Sequence, residues 1–288
     1  MSPLRSKMIN DMQLRRFSPK TQEAYLSAVA GLAKYYHQSP DQLTQAQVHA
    51  YLLHLMNERQ LAWSTCNQVA SGLRFFYNET LDKKAIHLVI PPRKNAVRLP
   101  EVFSASELER LFRAVTNLKE RVLLMTTYAA GLRVSEVVHL KVTDIDSERK
   151  MIRVDQGKGH KDRYTILSSR LLSELRRYWQ QYRPPLWLFC GRNPRRPWSI
   201  STAQKIYNQA KKTAGLVKGQ GIHTLRHCLA THLLEAGVHV RIIQVLMGHT
   251  SIRTTMLYAH VTQKRLTAVE SPLDLLTLPE NPDPVGRA

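Results

Sequence analysis

Arg, Lys and His side chains gather with a Tyr in four short segments, and these are the groups that chemistry on a phosphodiester requires. The first segment is Ala130-Gly131-Leu132-Arg133-Val134-Ser135-Glu136, and the second is Gly157-Lys158-Gly159-His160-Lys161-Asp162-Arg163. The third is His223-Thr224-Leu225-Arg226-His227, and the fourth runs from Leu246-Met247-Gly248-His249 to Thr254-Thr255-Met256-Leu257-Tyr258. Cleavage without a metal takes a side-chain oxygen as nucleophile, fixed cations for the charge gathering on the non-bridging oxygens, and a proton donor for the leaving oxygen. Arg suits the second task, because its planar fork makes two parallel hydrogen bonds to phosphate and stays protonated.

Taken singly, each segment also has an ordinary reading. Arg133 and Glu136 are spaced for a helical ion pair. The Gly-Lys run suits a solvated basic turn, and Tyr258 alone suits a core position. On a helix His223, Arg226 and His227 share one face, while Leu225, Leu229 and Leu233 project to the other side. His223 and His227 are also spaced as a helical zinc pair. However, Thr224 stands where a zinc protease has Glu, and no acidic third ligand lies nearby.

The chain as a whole favours a polyanionic partner. It has 288 residues, 43% of them apolar, enough for one large domain or two ordinary ones with a real core. Lys and Arg number 42 against 22 Asp and Glu, a formal charge of +20. Such a surface attracts nucleic acid. Cys66, Cys190 and Cys228 are isolated and form no CxxC pair, which argues against a disulfide framework. The opening Met1–Lys20 carries no apolar leader stretch, and no run approaches the ~18 apolar residues of a membrane span. The expectation is a cytoplasmic, nucleoid-associated protein with no membrane partner.

The elements that position these groups are mainly helical. Ser18-Pro19 is a cap followed by Pro at the first helical position, and Tyr25, Val29, Leu32 and Tyr36 then recur as one face of a helix over Ser18–His37. Helices over Gln45–Arg59 and Ser64–Leu81 complete an all-helical N-terminal bundle, residues 1–90. Between Ile90 and Val102 lies a Pro-rich, basic stretch without periodicity, read as a linker over residues 91–102. Ser104-Ala105-Ser106-Glu107 then offers a capping box, and Leu108, Leu111, Phe112 and Val115 the face of the helix that opens a second domain, residues 103–270.

Within that domain a helix ends at Gly131, which leaves Arg133 at the entry to the next, where free backbone N–H groups also suit a phosphate. Met151–Asp155 and Arg163–Leu167 alternate as strands of a hairpin whose turn carries the second segment. Helices resume near Ser169, and Leu186–Phe189 reads as a further strand. Helices follow over Ile200–Ala214, Thr224–Ala236 and Val240–Met247, with Gly237 and Gly248 as stops. Ser271–Ala288, with four Pro and an acidic excess, reads as a mobile tail. The fold class expected is mainly α with a small antiparallel β-hairpin or sheet.

The order and spacing of the four segments resemble the tyrosine recombinase, or phage integrase, family, Xer-type and integrase-like members included. The resemblance runs from about Met8 to Leu266. It implies an N-terminal helical DNA-binding bundle followed by a mixed α/β catalytic domain that cuts and rejoins DNA strands through a 3′-phosphotyrosyl intermediate. Arg133 is similar to the first catalytic Arg, Lys158 to the hairpin Lys acting as general acid, and His223 and Arg226 to the His-x-x-Arg pair. His249 is similar to the His/Trp position and Tyr258 to the nucleophile, with Glu136 and His227 at supporting positions. No metal, no ATP and no cofactor are implied. The implied partners are double-stranded DNA recombination sites, a homotetramer on two duplexes, and a second recombinase or accessory DNA-bending protein. Lys161, Arg163, Arg192, Arg195, Arg196, Lys205, Lys211 and Lys212 are the candidate phosphate contacts. Met247, Cys228 and the acidic end depart from the family's usual residues without removing a catalytic group. A type IB topoisomerase-like nicking-closing enzyme and a non-catalytic DNA-binding regulator are the competing readings.

Overall fold

Local capping sets most helix starts in the N-terminal unit. Ser18 accepts a hydrogen bond from the Thr21 N–H, Pro19 occupies the first turn, and α2 runs Pro19–Tyr36 before His37 turns left-handed at φ 52°. Thr44 and Gln47 form a reciprocal capping box that opens α3, Gln45–Asn57. An earlier helix, α1 (Pro3–Leu14), escapes the sequence pattern because its buried side chains are only Met8 and Met12. After α3, helix α4 (Trp63–Phe75) continues into a π-turn, Phe76–Thr80, and Tyr77 inside that turn donates its hydroxyl hydrogen to the Pro40 carbonyl at 2.6 Å. Leu32, Val48, Cys66, Leu73, Phe76 and Tyr77 meet in this unit's core. Each such apolar side chain contributes about 1.5–3 kcal/mol when buried.

The computed structural model describes residues 2–82, 100–155 and 162–258. The chain divides into two compact units, Met1–Ala96 and Val97–Ala288. Most of the expected linker and all of the expected tail fall outside the described residues. Glu101, which the sequence reading placed in the linker, accepts a hydrogen bond from the Gly219 N–H at 2.6 Å.

The second unit opens as its capping box requires: the Ser104 hydroxyl accepts from the Glu107 N–H, the Glu107 carboxylate accepts from the Ser104 N–H, and α5 runs Ala105–Arg113. Next come α6 (Leu118–Ala129) and the short α7 (Val134–Val138). Strands β1 (Ile145–Asp146), β2 (Met151–Val154) and β3 (Arg163–Ile166) form an antiparallel sheet in that order, with Ile152 opposite both Ile145 and Thr165. Ile152 and Val154 point inward on β2, and Thr165 does so on β3. Helices α8 (Ser169–Tyr182), α9 (Ile200–Thr213), α10 (His223–Glu235), α11 (Val240–Met247) and α12 (Ile252–Met256) follow. Leu186–Phe189 is no strand. Trp187 makes one isolated bridge to Lys141, because Pro184-Pro185 before it and Cys190-Gly191 after it leave too short a run to pair.

The core beneath the sheet is built from α5, α6, α8, α9 and α10, through residues such as Phe103, Leu111, Leu123, Leu175, Phe189 and Tyr207. A smaller cluster, Ala230, Leu234, Ile243, Met247 and Tyr258, fastens the last helices to α10. Among the described residues no helix is long and apolar enough to cross a membrane.

Candidate active site

Gly131 ends α6 with φ +62°, and a Cβ there would lie 2.7 Å from the Leu229 side chain, so only glycine fits this turn without a shift. The turn hands the chain to Arg133, the N-cap of α7, with Glu136 at its third position. The Glu136 carboxylate accepts from the Arg133 N–H at 2.8 Å and from Arg133 Nη1 at 2.7 Å. The ion pair suggested by the spacing is therefore present, but it is one part of a larger cluster. Arg163 donates from Nη1 and Nη2 to the two Glu136 oxygens at 2.8 Å each, and the Arg226 guanidinium stands 3.9 Å away. Burial alone would raise the Glu136 carboxyl, yet the hydrogen bonds and charge of Arg163, joined by those of Arg133, hold it at about 2.

Arg226 is 1% exposed, the largest fully buried side chain among the described residues. It reaches the centre of the cluster from α10 and donates to the carbonyls of Gly131 and Met247. Those two carbonyls close the ends of α6 and α11, so one guanidinium pins two helix ends that face each other. Burial, then the neighbouring Arg133, lower its pKa to about 10, which leaves it charged at neutral pH. Arg133 Nη2 donates to the Gly248 carbonyl at 3.1 Å. Gly248 is itself left-handed at φ +59° and turns the chain from α11 to His249.

Tyr258 lies at the other edge of the cluster and is 3% exposed. Its hydroxyl is 2.9 Å from His227 Nδ1, and its ring stacks on His249 with centroids 6.4 Å apart and planes 15° apart. Burial raises the Tyr258 pKa, against the lowering charges of Arg226 and Arg133. His227 is pushed down to about 4 by burial and by His223, and His249 to about 4 by burial and by Arg226 and Arg133. Both imidazoles are thus neutral at physiological pH. His249 Nδ1 is held 2.9 Å from the Thr255 hydroxyl. His223 is exposed at the start of α10, where desolvation and the charge of Arg226 lower its pKa. His223, His227 and Tyr258 open onto a cleft of about 580 Å³ that Glu101, Gln220 and Thr224 also line. Among the described residues no three His, Cys, Asp or Glu side chains are grouped to hold a metal.

The candidate DNA contacts fare differently. Lys158 and Lys161 lie outside the described residues. Arg163, expected on the DNA, has its side chain only 10% exposed and spends it inside the protein on Glu136. The signal for this was the strand alternation, which puts Arg163 on the same inward face as buried Thr165. Arg192, Arg195 and Arg196 are exposed on the loop before α9, where Trp187 Nε1 donates to the Arg195 carbonyl at 3.2 Å. Lys205 and Lys212 are exposed on α9. Lys211 is half-buried and donates to the carbonyls of Val217 at 3.2 Å and Gly219 at 3.0 Å. The sequence did not point to the Gly131 and Met247 carbonyls, because backbone acceptors leave no mark in a side-chain pattern, nor to the Thr255 hydroxyl, because a Thr carries no chemical signal of its own in such a segment.

Known proteins resemble the chain in sequence and in fold. Residues 101–265 match the model of the phage integrase family, and residues 4–86 match the phage integrase N-terminal SAM-like domain. A putative integrase/recombinase of Sinorhizobium fredii is 41% identical over 288 residues, covering 100% of this chain and 94% of that protein. The tyrosine recombinase XerC of Lactobacillus leichmannii is 33% identical over 276 residues, covering 88% and 92%. The solved Tn1549 transposon integrase, in complex with transposon right end DNA, shares the fold with a TM-score of 0.70 at 18% identity, covering 92% of this chain and 97% of that one. With the larger part of its length matched by the family model and a relative aligned along all of it, the chain belongs to the phage integrase family and is a tyrosine-type site-specific DNA recombinase.

Proposed function

We propose that this recombinase exchanges DNA strands through a 3′-phosphotyrosyl intermediate formed on Tyr258. The Tyr258 oxygen forms a bond to phosphorus as the bond from phosphorus to the 5′ oxygen breaks. The phenol proton passes to the imidazole beside it, His227, with His223 assisting transfer or positioning. The leaving 5′ oxygen takes a proton from Lys158. Arg133, Arg226 and His249 hold the non-bridging oxygens, where extra negative charge gathers in the transition state. A phosphodiester is exchanged for a phosphotyrosyl ester, so the 5′-hydroxyl of a partner strand can reverse the step without ATP. Fixed guanidinium charge does here what a metal ion does elsewhere.

The observation that carries this reading is convergence. Arg133, Arg226, His227, His249 and Tyr258 come from α7, α10 and the segments after α11, yet they share one buried cluster, with the Tyr258 hydroxyl 2.9 Å from an imidazole that is neutral at physiological pH. A DNA recombination site is the substrate. The assembly is a homotetramer on two duplexes, aided by a second recombinase or a DNA-bending protein. Residues 1–90 form the DNA-binding bundle, 91–102 the linker, 103–270 the catalytic domain and 271–288 the tail. Lys161, Arg192, Arg195, Arg196, Lys205 and Lys212 contact phosphates in a nucleoid-associated complex. The test is a suicide DNA substrate that traps covalent adducts. Adducts are expected with the native chain and none with Tyr258→Phe; an adduct on the Phe variant refutes the nucleophile. Recombined product, rather than plasmid relaxation alone, separates this reading from a topoisomerase-like enzyme.

A further inference from the structure

One carboxylate, Glu136, serves three guanidinium groups, and it does not serve them equally. Arg163 takes both oxygens with its fork, at 2.8 Å each. Arg133 is left with one side-chain bond to Glu136, from Nη1 at 2.7 Å, and its Nη2 turns to the Gly248 carbonyl at 3.1 Å. Arg163 also donates from Nε to the Leu246 carbonyl at 3.2 Å, in the last turn of α11, where a cation is favoured. Its stem passes so close to the following turn that a Cβ on Gly248 would lie 2.8 Å from Arg163 Cδ. One side chain from β3 therefore touches the acid that orients Arg133, the end of α11, and the turn whose carbonyl receives Arg133 and whose next residue is His249.

We propose that Arg163 is a positioning residue: by occupying both Glu136 oxygens and bracing the Gly248 turn, it keeps Arg133 only partly neutralised and aimed at the scissile phosphate. Were the fork absent, Glu136 would be free to pair with Arg133 through both oxygens and draw it off the phosphate. Lysine cannot replace the fork, since a single ammonium does not reach two carboxylate oxygens and the Leu246 carbonyl in one fixed plane. The inference rests on the reading above that Arg133 holds a non-bridging oxygen, and its experiment separates the two.

The experiment compares adduct formation on a normal scissile phosphate with that on a methylphosphonate, which lacks the non-bridging charge. Arg163→Lys, which keeps the charge and loses the fork, is expected to slow adduct formation on phosphate about ten- to a hundredfold. Its DNA affinity by gel shift should change less than about threefold, because a phosphate anchor is not being removed. On methylphosphonate the defect should shrink to within about threefold, as it should for Arg133→Ala, since the charge that Arg133 must meet is gone. That recovery also shows the variant to be folded. Gly248→Ala, which pushes on Arg163 without changing any charge, should behave alike. Equal loss on both substrates, no loss on phosphate, or a fall in affinity matching the fall in rate would each overturn the role of Arg163. If Arg133→Ala itself gains nothing on methylphosphonate, the assignment of Arg133 fails and the inference falls with it. If Arg133→Ala recovers and Arg163→Lys does not, only the inference fails.

Discussion

At the residue scale the proposed catalytic groups differ in how much of the fold also rests on them. Tyr258 and Arg226 are both buried, but their removal should have different consequences. Tyr258→Phe loses the hydrogen bond to His227, worth about 1 kcal/mol, and is expected to abolish adducts while shifting the urea midpoint less than Arg226→Ala does. Arg226→Ala strands the carbonyls of Gly131 and Met247 and opens a cavity, so a loss of about 3 kcal/mol or more is expected in the same urea titration. Acid should expose the neutral histidines. His227 and His249 sit near pH 4 in the folded protein, against an ordinary 6.5. Between those values the unfolded chain binds protons that the folded chain refuses, so stability falls as the pH drops from 6.5 toward 4. Glu136, at about 2 against 4.5, extends that loss to lower pH. Melting temperatures across this range should fall less steeply for His227→Gln; an unchanged slope would mean that His227 is not buried neutral.

At the element scale, what can be read in advance depends on how local its cause is. The helix starts at Ser18 and Ser104 were legible because a cap and the backbone N–H that donates to it lie within one turn. The hairpin was legible from alternation. Helix α1 was not, because only Met8 and Met12 mark its buried face, and β1 was not, because two residues carry no period. Arg133, Glu136, His223, Arg226, His227, His249 and Tyr258 all stood in the four segments by type, but apart from the Arg133–Glu136 pair their partners were not legible. Arg163 looked like a phosphate contact until β3 turned it inward, and Lys211 looked like one until its ammonium was seen to close the segment after α9 on the Val217 and Gly219 carbonyls. That difference is measurable. Lys205→Ala, Lys212→Ala and Arg195→Ala should each flatten the dependence of log affinity on log salt by about one unit. Lys211→Ala should leave that slope nearly unchanged and lower the melting temperature instead. At the end of α6, Gly131→Ala forces a left-handed Cβ into Leu229 and is expected to destabilise by about 1–3 kcal/mol in urea.

At the scale of the whole molecule, 42 basic residues against 22 acidic ones make affinity for DNA a question of salt. Raising salt from 50 to 200 mM should weaken binding to any duplex by orders of magnitude, read by fluorescence anisotropy on specific and random DNA alike. The cluster around Glu136 carries the same imbalance inward. Three guanidiniums crowd one carboxylate, so the resting enzyme holds an unspent self-repulsion that an anion would quench. Fold and substrate are linked through that repulsion, which discourages the folded cluster until an anion offsets it. Inorganic sulfate at constant ionic strength should therefore raise the melting temperature of the native chain, and do so less for Arg133→Ala, in which part of the discouragement has already been removed.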